Sequence, residues 1–145
     1  YVLATLFHSG SAIKISKFDG SWNEIIKNLS KPHGCMTMGD EFLITDTGGG
    51  NVIVFDNNRK NNYSFKHVDG KSNSMSDLEW LQFSTYDKQI IITEDSNRKQ
   101  FTIIDRSKLM KLNIKHNPNW AIQEFAILND FNVKLLNQIK NYFKH

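Results

Sequence analysis

The chain has 145 residues, 39% of them hydrophobic and 23% charged, the composition of one ordinary globular domain. Its apolar runs fall far short of the ~20 residues that span a bilayer, Cys35 has no partner for an intrachain disulfide, and a net charge of +3 is too mild to argue for nucleic acid. A single cysteine is compatible with a cytoplasmic setting, but a removed signal peptide would leave no trace in a sequence starting at Tyr1, so the compartment stays open.

In chain order, Thr5-Leu6-Phe7 leads into the polar turn His8-Ser9-Gly10. Ala12-Ile13-Lys14-Ile15-Ser16-Lys17-Phe18 then alternates apolar and polar, as a half-buried strand does. Further strands are expected over 22–27, 34–38 and 43–47. The β-branched run Val52-Ile53-Val54-Phe55 follows, and then 63–68, 78–83, 89–93, 101–104 and 110–115. Asp19-Gly20, Gly39-Asp40, Gly48-Gly49-Gly50 and Asp69-Gly70 supply tight turns between them. Residues 120–127 are expected to add one more strand. From Asp130 the pattern changes. Phe131, Leu135, Ile139 and Phe143 recur every four residues and predict an amphipathic helix over 129–145, packed on its own domain.

An apolar residue followed by Asp closes a strand three times, at Phe18-Asp19, Phe55-Asp56 and Ile104-Asp105. Ten or eleven residues before each closing Asp stands a turn residue: His8, Asp46 or Glu94. Four strands in a unit of roughly 40–50 residues is the period of a β-propeller blade. The fold expected is therefore all-β, with about three four-stranded antiparallel blades over 1–29, 32–68 and 75–116 and a C-terminal helix. Since closed propellers take roughly four or more blades, three units imply part of a larger ring. The ring would be completed by missing blades of a longer protein or by other chains.

Pro32-His33-Gly34-Cys35-Met36, Gly39 to Gly48 and Asn51-Val52-Ile53-Val54-Phe55-Asp56 together resemble a repeat of the NHL, SMP-30 and gluconolactonase-like propellers. The likeness is good over 32–56 and weaker over 76–105, where Ser76-Asp77-Leu78 replaces the usual Pro-Asp-Gly. It is partial over 3–19 and absent over 117–145. It implies a central channel faced by the loops that lead into each innermost strand. It also implies a divalent cation such as calcium, held by Asn or Asp at a position that is His33 in one unit and Asp77 in the next. Asp77 matches that ligand type, whereas the imidazole of His33 suits zinc or iron better than calcium.

His33, Asp77, Asp46 and Glu94 are thus the channel-facing candidates, with Asp77 and His33 as the metal pair; no catalytic residue is assigned. The blander alternatives are that His33 and Asp77 hydrogen-bond backbone, and that Asp46, Glu94 and Asp95 cap turns. Gly48-Gly49-Gly50 is not a phosphate loop, since no Lys-Ser/Thr follows and it leads into a strand. Cys35 reads as an inert buried thiol, Asn57 to Asn62 and Asn97-Arg98-Lys99 as solvated turns, and Trp22, Trp80 and Trp120 as core between sheets. The function expected is a binding module presenting its channel and loops to a small molecule, glycan or protein. A metal-dependent lactonase or esterase and an assembly subunit are the alternatives.

Overall fold

The computed structural model describes residues 1–71, 78–87 and 89–127. They form eleven strands in three antiparallel meanders. The first sheet holds β1 (Val2–Leu6), β2 (Ser11–Ile15) and β3 (Trp22–Ile26). The second holds β4 (His33–Met38), β5 (Glu41–Asp46), β6 (Asn51–Phe55) and β7 (Lys60–Ser64). The third holds β8 (Leu81–Asp87), β9 (Ile90–Asp95), β10 (Gln100–Asp105) and β11 (Met110–Lys115). β1 meets β4, and β4 and β5 meet β8, so the sheets follow one another in a row.

The expected propeller is corrected here. The three sheets have three, four and four strands, and they close into neither a barrel nor a propeller. The physical reason is that a repeat length sets how long each meander is, whereas closure depends on the angle between sheets, which periodicity does not encode. There is no helix among the described residues, and none therefore long and apolar enough to cross a membrane. The helix expected over 129–145 lies outside the described residues. Residues 120–127 carry no strand; they lie against the third sheet through side chains, with Phe125 edge-on to Phe83 and Phe101.

Burial follows the strand period. On one face of the second sheet Leu43, Val52 and Val54 are fully buried and share a core with Leu81, Ile91 and Ile104 of the third. Its other face buries Ile44 and Ile53. A strand covered on both sides needs apolar residues at every position, which is why β6 reads as an unbroken run while β2 alternates. Each such side chain contributes roughly 1.5–3 kcal/mol on burial. Trp22 and Trp120 are corrections: both are more than half exposed, at 66% and 57%.

The turns repeat as faithfully as the strands. Gly10, Gly50 and Lys99 end the equivalent turns, β1–β2, β5–β6 and β9–β10, each with a positive φ. Each carbonyl there accepts the N–H of the residue leaving the outer strand region: Leu29 at 2.8 Å, Phe65 at 2.9 Å and His116 at 3.0 Å. The Asp residues that close the repeats do one job. Asp19 accepts from Ser21, Asp56 from the N–H groups of Asn58 and Arg59, and Asp105 from Ser107 and Lys108. Hydrogen bonds from Ser16 and Ser21 to Asp19, from Asn58 to Asp56 and from Ser107 to Asp105 hold all three carboxyls below the usual carboxylate range.

Two outcomes follow from the turns. Lys99 occupies a backbone conformation that the other two units give to glycine, so Lys99→Gly should raise stability by about 1 kcal/mol in urea unfolding; a loss would show that its side chain outweighs the strain. A depressed carboxyl pKa stabilises the fold above the unfolded value of about 3.9 and ceases to do so as pH falls through the folded value. The combined Asp19→Asn, Asp56→Asn and Asp105→Asn variant should accordingly lose stability less steeply below about pH 4 than the parent, as read from urea midpoints across pH.

Candidate functional site

The β5–β6 turn and the segment leading into β4, like the β9–β10 turn and the segment leading into β8, lie at the same end of their sheets. Backbone bonds join them: Gly48 N–H to the Ser30 carbonyl at 2.7 Å, and Ser96 N–H to the Trp80 carbonyl at 3.0 Å. Three of the four sequence candidates lie at this end, and Asp77 lies outside the described residues. His33 opens β4 opposite Thr45, with its ring edge-on to Phe7 at 5.3 Å. Asp46 is buried; one oxygen accepts the Ser30 N–H at 2.6 Å and the other the Asn51 amide at 3.1 Å. Among the described residues no three His, Cys, Asp or Glu side chains gather closely enough to hold a metal. Cys35 is half-buried, and burial pushes its thiol pKa up.

Register also shifts the repeat alignment. Leu6 faces Ser11, Asp46 faces Asn51 and Asp95 faces Gln100 across the same turn. The equivalents of Asp46 are therefore Leu6 and Asp95, where the sequence spacing paired it with His8 and Glu94.

Glu94 sits one residue earlier, on the opposite face of β9. It is buried, accepts from Ser96 Oγ at 2.7 Å through one oxygen, and meets His116 Nε2 at 3.1 Å through the other. The other ring nitrogen of His116 lies 3.0 Å from the Asn117 carbonyl, which can only accept, so Nδ1 carries a proton. Burial raises the Glu94 pKa, with the hydrogen bonds from Ser96 and His116 working against it. Trp120 stacks on His116 at 6.3 Å, and Gln82 donates to Gln123 at 2.8 Å, fastening 116–127 to the third sheet. The carboxylate stands between the hydroxyl and the imidazole. A serine nucleophile needs the imidazole in the middle, so Ser96 is not activated here.

Arg98, expected to be a solvated turn cation, is buried instead. Every guanidinium nitrogen is used. Nη1 bonds Glu79 at 2.8 Å and Asp95 at 2.9 Å; Nε bonds the Val68 carbonyl at 2.9 Å; Nη2 bonds the carbonyls of Val68 at 2.7 Å and Phe65 at 3.3 Å. Burial by itself would lower the Arg98 pKa, but the Glu79 hydrogen bond and the Asp95 charge outweigh it and hold the group charged. Burial raises the Asp95 pKa, against the attraction of Arg98. Lys71 Nζ lies 3.8 Å from Glu79. The only sequence hint was an acid three residues before the arginine; Glu79 is nineteen residues away. At the opposite end Arg106 makes a two-pronged bond to Glu41, at 2.9 Å each, tying the third sheet to the second. A cleft of about 480 Å³ opens between the first two sheets there, lined by Lys14, Asn23, Thr37, Asp40 and Phe42.

No family model matches the chain, and no curated protein does. Among solved structures it is similar to the crystal structure of the extracellular domain of a putative hybrid two-component system from B. thetaiotaomicron, with a TM-score of 0.54 and 15% identity. The match covers 79% of this chain and 15% of that one. At this identity the likeness concerns the fold alone.

Arg98→Lys keeps a charge but has three donors for five acceptor contacts, and should cost about 2–4 kcal/mol in urea unfolding. A change under about 0.5 kcal/mol, normal for a solvated turn, would contradict the network. His116→Ala leaves the Glu94 carboxyl buried without its ring partner; a loss of about 2 kcal/mol is expected, together with faster amide exchange over 120–127. Unchanged exchange there would show that the segment is held by its aromatic contacts alone.

Proposed function

We propose that the chain is a recognition module that binds a protein partner through its sheet surfaces and turns over no substrate. One observation carries this. The acids and bases at the turn end commit their hydrogen bonds to the fold itself, through Asp46, Glu94, Asp95 and Arg98. Large apolar side chains meanwhile stand in water: Trp22 on the first sheet, Leu112 and Ile114 on the third, the last two 59% and 48% exposed. Exposed apolar surface of this kind marks interaction sites. The fold relative is named as an extracellular domain of a two-component system, a setting in which recognition is a natural role. A peptide library displayed against the folded chain should enrich sequences whose binding is lost in Leu112→Lys or Trp22→Ala. Hydrolysis of lactones or esters by the purified chain, with or without added calcium, would overturn the reading.

A further inference from the structure

The repeat gives each sheet two different faces, and the chain shows how they pair. Because Leu6, Asp46 and Asp95 are equivalent, every strand position has a counterpart in the other sheets. The forward face of the second sheet carries the paired residues Leu43 and Val54, both fully buried against Ile91 and Ile104 on the rear face of the third. The counterparts of Leu43 and Val54 on the third sheet are Ile92 and Ile103, and across β11 the row continues to Leu112. The counterparts of Ile91 and Ile104 on the first sheet are Val2 and Ile15, a row that continues across β3 to Trp22.

Both rows are apolar and both lie on faces no described sheet covers. Val2 is 51%, Trp22 66% and Leu112 59% exposed, while Ile15, Ile92 and Ile103 are half-buried. The alternation of β11 supports the assignment. Lys111, Asn113 and Lys115 share one face of the strand, where they bond the Ser64 carbonyl, Thr102 and the Arg98 carbonyl while staying exposed, and Leu112 and Ile114 stand on the opposite face. An edge strand facing only water would alternate the other way. Phe125 already covers Phe101 at the turn end of this face; the Ile92–Ile103–Leu112 row lies farther from the turn.

We propose that a second copy of this chain docks head to tail, the Ile92–Ile103–Leu112 row of one on the Val2–Ile15–Trp22 row of the other. The two open ends are the complementary halves of the contact that Leu43 and Val54 make with Ile91 and Ile104 inside the chain. Such an interface is heterologous, each copy using a different face. It deepens the recognition role and rests on it, naming the protein partner as the chain itself.

Sedimentation velocity over rising concentration tests it. The weight-average mass should climb from the 16.8 kDa of one chain to at least twice that. Leu112→Lys with Ile114→Lys should hold the chain monomeric, and so should Val2→Lys with Trp22→Lys, each with the circular dichroism of the parent. Mixing the two variants should restore a dimer, because each keeps the face the other has lost; an interface made by one face on itself could not be rescued in this way. A parent that stays monomeric, assembly indifferent to both pairs of substitutions, or failure of the mixture to associate would each overturn the proposal. If the parent is monomeric yet peptides still bind at Leu112 or Trp22, only the pairing falls; if neither occurs, the recognition role falls with it.

Discussion

The buried guanidinium of Arg98 holds together the end of the molecule on which its loops depend. A charge out of water is costly unless its attraction and hydrogen bonds are complete, and here they are. Two carboxylates and two backbone carbonyls use all its donors. Those carbonyls belong to the segment leaving the second sheet, Asp95 to the end of β9, and Glu79 to the segment leading into β8. One side chain thus joins two sheets and two connections that share no strand hydrogen bonds. Without it the Val68 and Phe65 carbonyls would lose their side-chain donor within the core. Glu79 extends the constraint to the second sheet's own turn: a Cβ at Gly50 would collide with the Glu79 side chain, so a residue already needing positive φ must also lack a side chain.

This arrangement commits the polar groups of the turn end to the fold. Its carboxylates are held by internal partners: Asp46 by Ser30 and Asn51, Glu94 by Ser96 and His116, Asp95 and Glu79 by Arg98. Groups so committed position loops and fasten the 116–127 segment. Exposed apolar side chains stand on the outer faces of the first and third sheets, Val2 and Trp22 on one, Leu112 and Ile114 on the other. The counterparts of these rows, where covered, form the core.

Local features were legible before the structure. β6 could be read from its unbroken β-branched run, and the Asp residues at 19, 56 and 105 from their common place after a strand, because an Asx turn needs only the residues beside it. Other features were not. The spacing from turn to closing Asp matched Asp46 with Glu94, but register pairs it with Asp95, and a shift of one residue puts a side chain on the opposite face of the sheet. Arg98 stood among polar neighbours that look solvated, since apart from Asp95 its partners lie nineteen, thirty and thirty-three residues away. Residue type alone places Trp22 and Trp120 in a core, because it says what a side chain prefers and not which face is covered.

The amino-acid sequence by itself determined the strands, the turns and the length of the repeat, because alternation, β-branching and turn chemistry act between near neighbours. Tertiary structure alone decided how three meanders sit against one another: a row without closure, Arg98 enclosed between two of them, His116 paired with Glu94. Those outcomes depend on angles between sheets and on contacts between residues far apart in the chain. Hydrophobic period carries no information about either.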